Sequence, residues 1–544
     1  MTLMPLGIIL IKSHMKKFIP VLACLFFACS HQPLVTPADA QEFNRPPLAI
    51  DSKSPLYLEA QRFDLFIKKQ LSADESRAYL SECQKKASDS PFCYSVLHSK
   101  ALFEMTEAKT TPKSPPPLKQ IVPISPNYKG DKLTNWNEMR KADVPVLLKG
   151  FLPLSRDELK ELGQKALHEK KCPNRVAIAA AATLEDYLPA EINGAFLAEL
   201  YEKGGSCRKE TKADRENFIT RAALFYVYDN QWKKAEKLLS KVTPNDAFSG
   251  RVLFWLAVSK SKNGDSKGAA KVFSRLLSFH PFSFHSVMAA KREHSNPLPG
   301  LTEKSVVPVV SKKSKPFNLI VNQVEILTRN DFLQTAALLV DYGLMQFSKV
   351  EPEAKLYLAS LGDAKARSIY ASNLAYYKEG FRSKDVLELA YPKPFEAVFN
   401  KVKRNAPVNF LYSIARKESM FYPLAISYAN AQGLLQLNPD TVERMGFNKP
   451  NLLDPYTNLD IGAEHMTDLL KSLDGKLYWA AAAYNAGINP VRSWMRRYKH
   501  EDILITLDLI PYRETREYVG SVMTNYYWYS RLYGNVSEAL PSLP

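Results

Sequence analysis

The stretch RVLFWLAVSKSKNGDSKGAAKVFSRLLSFHP, Arg251–Pro281, constrains the fold more than any other part of the chain. It reads as two amphipathic helices joined by an Asn-Gly-Asp turn, with Pro281 ending the second. Just upstream, NQWKKAEKLLSKV repeats the pattern, placing Trp232, Ala235, Leu238, Leu239 and Val242 at helical spacing. A short helix cannot bury its apolar stripe alone, so pairs in series must stack on one another. That predicts an α-solenoid. Alternation of the strand kind occurs only near Val306–Val310, so the fold class is all-α.

A chain of 544 residues calls for two to four units. Pro-rich stretches divide it. Phe43–Leu56 reads as a tether, 57–107 as helices, and Lys109–Pro126 as a linker or extended segment. The chain is largely helical by period from about Leu133 to Glu293. Ser295–Pro316 is a second linker, and helical pattern resumes from Asn318 to Leu389. YPKPF, Tyr391–Phe395, marks the last boundary. The expected units are 1–28, 29–130 (tether and N-terminal helical region), 131–395 (a superhelix of the tetratricopeptide kind) and 396–544.

The N-terminus adds a location. MKKFIPVLACLFFAC begins at Met15 with Lys16 and Lys17, then an apolar run from Phe18 to Ala28, then Cys29. That is a signal peptide over 1–28, and Ala28-Cys29 resembles the lipoprotein type. It implies lipidation at Cys29 and a periplasmic protein anchored to the outer membrane. The alternative is ordinary cleavage near Pro37–Gln41. An exported chain meets an oxidising compartment, so Cys83, Cys93, Cys172 and Cys207 are disulfide candidates. Three pairings are possible, and nearness in sequence favours Cys83–Cys93 with Cys172–Cys207. Their spacings fit no zinc site. The net charge of +17 favours an anionic partner: nucleic acid, a membrane surface or a cell-wall polymer. No Lys/Arg block is long enough for a nucleic-acid arm.

The last 150 residues carry the chemistry. Val408, Leu411, Ala415 and Glu418 lie at steps of three and four, so Glu418 continues an apolar stripe. Desolvation there raises the pKa of a carboxyl group and lets it act as a proton donor near neutral pH. The structural alternative is a buried Glu paired with Arg416 or Arg444, or a helix-end Glu in solvent. AQGLLQLNP places Gly433 and Gln436 inside an apolar run, and Asn438-Pro439 and Asp454-Pro455 read as N-caps with Pro at the first helical position. LYWAAAAYNAG is an Ala-rich helix stopped by Gly487. PYRETREYVGSVMTNYYWYSRLY, from Pro511 to Tyr533, is a long helix with a band of tyrosines.

Together, in this order, these blocks resemble the catalytic domain of the soluble lytic transglycosylases. Glu418-Ser419-Met420-Phe421 matches the family's Glu-Ser-x-Phe. Ala425-x-Ser427 and Ala431-x-Gly433-Leu434-Leu435-Gln436 match the next block, with Asn430 where Gly is usual and Leu435 where Met is usual. Tyr484-Asn485-Ala486-Gly487 and Glu514-Thr515-Arg516-x-Tyr518-Val519 match in full. More loosely, Arg251–Ala289 resembles the end of the superhelix that precedes the catalytic unit in this family, with His285-Ser286 in place of Tyr-Gly.

The resemblance implies a lysozyme-like α-fold after the superhelix and cleavage of peptidoglycan between N-acetylmuramic acid and N-acetylglucosamine. Glu418 would be the acid and then the base, closing a 1,6-anhydro ring. Substrate contacts would come from Ser427 near the acetamido group and from Gly433, Leu435, Gln436, Tyr484 and Asn485, with Glu514 in support. No metal or cofactor is implied, and the partner is the glycan strand. Two other readings stay open. A lysozyme-type hydrolase would need a second carboxylate, such as Asp440, Asp454, Asp460 or Glu464. A non-catalytic peptidoglycan-binding scaffold would need none.

Overall fold

A computed structural model describes residues 55–86, 92–93, 96, 135–170, 174–189, 191–207, 211–242, 249–292, 306–402 and 405–534. The signal region, Cys29, Cys172 and the linker over Lys109–Pro126 lie outside them. Helices α1 (Pro55–Ile67) and α2 (Ala73–Lys86) come first. The superhelical run includes α3 (Gly194–Gly205), α4 (Lys212–Tyr228), α5 (Ser249–Lys262), α6 (Ser266–Phe279) and α7 (Phe284–Arg292). It continues through α8 (Lys315–Arg329), α9 (Leu333–Gln346) and α10 (Ala364–Tyr377). The last unit is built on α11 (Val408–Glu418), α12 (Pro455–Ser472), α13 (Leu477–Ala486), α14 (Ile503–Asp508) and α15 (Arg513–Tyr533). Among the described residues there is no strand. Val306–Val310 forms none, and isolated bridges join Ile426 to Gln432 and Gln432 to Leu437.

The α5–α6 pair shows how the sequence sets the helical hairpin. Gly264 turns the chain at φ +90°, where a side chain would be strained. Asp265 then caps α6 by accepting the Gly268 N–H at 2.8 Å. Trp255 and Phe254 from α5 and Leu276 from α6 lie fully inside.

Two cores organise the molecule. The larger runs without a break from Met139 through α3–α7 into the last unit, ending at Tyr529. The smaller joins Ala60, Phe63 and Ile67 of α1 to Phe317, Val324 and Leu339 of α8–α9. There the buried Asp64 accepts from Thr335 and from Lys68. Cys83 and Cys93 are bonded beside it, with Cα atoms 4.6 Å apart. Cys207 is disulfide-bonded as well. No helix among the described residues is long and apolar enough to cross a membrane.

The superhelix grips the last unit through buried ions. Asp508, at the end of α14, accepts from Arg251 Nε at 2.7 Å, Trp255 Nε1 at 2.6 Å and His285 Nε2 at 2.8 Å. Burial pushes the Asp508 carboxyl up, but His285 and Arg251 overcome it and hold it well below the usual carboxylate range. Arg251 also reaches Glu517 of α15 at 3.2 Å. Nearby, the buried Glu185 accepts from Tyr201, Arg221 and Tyr498, the last from the final unit.

Candidate active site

Glu418 is the last residue of α11, so it sits at the negative end of that helix's dipole. Beyond Ser419 the chain reverses through Met420 and Phe421, both at positive φ (50° and 65°). Non-glycine residues adopt that region at a cost, which packing here offsets. Phe421 is buried against Tyr412, and Ser419 Oγ donates to the Leu434 carbonyl at 2.8 Å. The end of α11 is thereby fixed against the following loop.

That loop, 425–437, is stitched by its own backbone. Ser427 N–H donates to the Ala431 carbonyl at 2.8 Å, and Ala431 N–H donates to Ser427 Oγ at 2.9 Å. Gln432 and Leu437 exchange both backbone bonds at 2.9 Å. Gly433 has φ +77°, and a Cβ there would lie 2.2 Å from the Leu452 carbonyl and 2.3 Å from Asn458 Nδ2. Its role is close backbone approach. Asn458, fully buried on the first turn of α12, locks the loop from below. Its Nδ2 donates to the carbonyls of Gln432 (2.8 Å) and Leu452 (2.9 Å), and its Oδ1 accepts from Leu435 N–H at 2.8 Å.

Two residues expected at the substrate, Leu435 and Gln436, also have structural partners. The Leu435 side chain is fully buried and packs on Gly462 of α12, so it offers no surface to a sugar. Its backbone carbonyl instead accepts from Tyr484 Oη at 2.8 Å. Gln436 donates its amide to the carbonyls of Ala425 (3.0 Å) and Gly433 (2.9 Å), so those donors shape the loop.

The Ala-rich helix α13 buries Ala480–Ala483, and that smooth face lets it lie close against α15. Its C-terminal turn meets the first turn of α15. Thr515 Oγ1 donates to Asn485 Oδ1 at 2.7 Å, and Asn485 Nδ2 lies 3.4 Å from Glu514 Oε1. One turn beyond Glu514, Tyr518 Oη donates to Glu418 Oε1 at 2.7 Å. Glu418, Tyr484, Asn485, Glu514 and Tyr518 thus converge where α11, α13 and α15 meet.

The electrostatics follow. Burial pushes the Glu418 carboxyl up to about 7, and the Glu514 charge adds to the rise. The Tyr518 hydrogen bond and Lys417 work against it. Glu418 does not pair with the two arginines that could have neutralised it. Arg416 bonds Asn525, Ser372, Ser368 and the Ala390 carbonyl, and Arg444 bonds Thr441. Among the described residues no three His, Cys, Asp or Glu side chains converge as a metal site. Sequence reasoning gave no role to Tyr518, Asn458 or His465, whose ring lies 5.5 Å from that of Tyr484. For Asn458 the signal was available: an amide on the inner face of α12, beside Leu459.

Residues 397–506 match the family model described as Transglycosylase SLT domain. The matched stretch takes in α11–α13 and ends before α15. Over 169 residues the chain is 32% identical to the soluble lytic murein transglycosylase of Salmonella typhimurium, covering 29% of this chain and 26% of that one. Against the Escherichia coli K12 protein of the same name it is 30% identical over 162 residues, 28% and 25% of the two chains. The chain thus spans about a quarter of the length of these curated relatives. An inactive mutant of lytic transglycosylase Slt from Pseudomonas aeruginosa has a similar fold, with a TM-score of 0.52 at 17% identity. That likeness covers 87% of this chain and 78% of the other, so it takes in superhelix and SLT domain together.

Proposed function

We propose that the SLT domain is a lytic transglycosylase that cleaves peptidoglycan between N-acetylmuramic acid and N-acetylglucosamine and leaves a 1,6-anhydro end. The observation that carries this reading is Glu418, a half-buried carboxyl raised to about 7 and held by Tyr518 where α11, α13 and α15 meet. Tyr518 occupies Oε1, which leaves Oε2 to carry the proton. Glu418 donates it to the bridging oxygen as the C1–O bond breaks, and the substrate's own N-acetyl group steadies the cation at C1. The carboxylate then takes the proton of the C6 hydroxyl, whose oxygen bonds to C1. Closure is intramolecular, so orientation gives that hydroxyl a large advantage over bulk water. Ser427 Oγ already accepts from Ala431, and its own O–H donates to the acetamido group. Tyr484 and Asn485 hold the sugar. The reading places the enzyme in the periplasm, exported by the signal and lipidated at Cys29.

Mass analysis of products from purified sacculi tests this. The released muropeptides are expected one water lighter than hydrolysis products, and unchanged by borohydride. Reducible ends as the main product would mean hydrolysis. One observation gives that alternative a base: Glu514 is the carboxylate whose charge is felt at Glu418. No release at all would leave the binding scaffold.

A further inference from the structure

Four large aromatic side chains stand exposed among the described residues: Phe279, Tyr377, Tyr428 and Tyr456. Two belong to one feature of the superhelix. Phe279 ends α6 and is 66% exposed, and Tyr377 ends α10 and is 71% exposed. The chain brings these two helix ends together across almost a hundred residues. His280 Nδ1 lies 2.7 Å from Tyr376 Oη, and the Tyr376 and Tyr377 rings lie 4.8 Å apart at 74°. Phe279 and Tyr377 are thus the chain neighbours of a bonded pair, His280 and Tyr376, and the four make up an aromatic ledge across the two helix ends. Nothing in the packing of either helix requires Phe279 or Tyr377 to be aromatic, since neither is buried. Two exposed rings flanking a hydrogen-bonded pair point to a ligand.

The charge around the ledge narrows the class. Neither α6 nor α10 contains an Asp or Glu. Lys271, Arg275 and Phe279 recur every four residues, all exposed, so two cations lead along α6 to the ring. The Arg275 guanidinium lies 5.9 Å from the centre of the Phe279 ring. Beyond Tyr377 comes exposed Lys378, and the next acid, Glu379, lies 3.6 Å from Arg382. The ledge also adjoins the catalytic helix. Tyr376 is one turn beyond Ser372, which accepts from Arg416, two residues before Glu418 on α11.

We propose that this ledge is a binding site for a peptidoglycan strand, remote from the reacting bond. Pyranose rings stack their C–H faces on Phe279 and Tyr377, while Lys271, Arg275 and Lys378 meet the lactyl and stem-peptide carboxylates. The proposal rests on the peptidoglycan reading of the SLT domain, but it concerns binding alone.

The experiment uses the full chain carrying Glu418→Gln, so that the polymer is not consumed, and measures co-sedimentation with purified sacculi. F279A/Y377A is expected to weaken binding about tenfold. F279W/Y377W should retain it, because any flat ring serves. K271E/R275E should weaken binding to sacculi and leave binding to neutral chitin unchanged. Equal melting temperatures establish that each variant is folded, as expected for exposed positions. Wild-type affinity in F279A/Y377A overturns the ledge, and an equal effect of K271E/R275E on chitin overturns its ionic part. If the Glu418-intact chain releases nothing from sacculi while F279A/Y377A still loses binding, the cleavage reading fails and the ledge stands.

Discussion

Asp508 and Glu418 are two carboxyl groups withdrawn from water in the same unit, and they are held in opposite states. Burial pushes both up. Asp508 meets three donors, two of them on basic side chains, and stays ionised far into acid. Glu418 meets one neutral phenol and a second carboxylate nearby, and stays protonated to about pH 7. The cost of burial is common to the two. What differs is who supplies the compensation, and hence what each can do: a permanently charged group holds elements together, while a group poised near neutrality can pass a proton.

Removing the poised group should have the largest effect. Glu418→Gln keeps size and neutrality, so the domain should fold, yet an amide has no proton acidic enough to give. Turnover of sacculi should fall about 10³-fold or more. Substantial turnover by a folded variant would put the acid elsewhere.

Removing the permanently charged group should act on stability instead. Asp508→Ala strips three donors of their acceptor and leaves Arg251 buried without its closest anion. Loss of one partner in a buried ionic pair costs about 3–5 kcal/mol, readable as a fall in urea midpoint. The folded pKa of Asp508 is depressed. Its contribution is therefore present above the unfolded carboxyl range and is lost only as pH falls through the folded value. The gap between wild type and variant should hold at pH 5–8 and close in strong acid. A gap independent of pH down to strong acid would mean that packing, rather than charge, is what Asp508 supplies.

The same contrast shows what a sequence can reveal. The helical period predicts the all-α architecture, because periodicity is local: Arg251–Pro281 encodes its own turn, cap and apolar stripe. Glu418 stands out for the same reason, as one acid on one helix stripe. Its environment is a property of space. Tyr518, Glu514 and Tyr484 reach it from segments up to a hundred residues away, and no local pattern tells which tyrosine of α15 turns toward it. Leu435 and Gln436 carry structural duties that no local pattern shows. Motif position suggests ligand contacts, and the tight loop also takes both N–H donors of Gln436 and buries the side chain of Leu435. The clamp on Asp508 is equally silent, since Arg251, Trp255 and His285 read as ordinary members of amphipathic helices.

A third test asks what the poised state costs the fold. The folded pKa of Glu418 is raised above the ordinary 4.5. Between about 4.5 and 7 the native chain binds a proton that the unfolded chain releases, so stability is full below the unfolded value and is lost as pH rises through the folded one. Glutamine is neutral throughout. Glu418→Gln should match wild type near pH 4 and exceed it at pH 8, by up to about 3 kcal/mol. A variant less stable than wild type at pH 8 would mean that the ionised carboxylate is stabilised by its surroundings.

The finest test moves the poise without abolishing it. Tyr518 donates to the ionised form of Glu418 and so lowers its pKa, whereas Glu514 repels that form and raises it. Their removal should shift the alkaline limb of the pH–rate profile in opposite directions. In wild type, activity needs the protonated acid and should fall away above about pH 7. In Tyr518→Phe the midpoint should move to higher pH, and in Glu514→Gln to lower pH, each by roughly one unit or less. Both rates at the new optimum should stay within about tenfold of wild type, because neither residue gives the proton. The opposite signs are what a merely structural role would not produce: a loosened site lowers the whole curve without displacing it. Shifts in the same direction would show that these groups act on Glu418 through cleft geometry. A rate lost at every pH in Glu514→Gln, with reducible ends as the main product of wild type, would make Glu514 the base of a hydrolase.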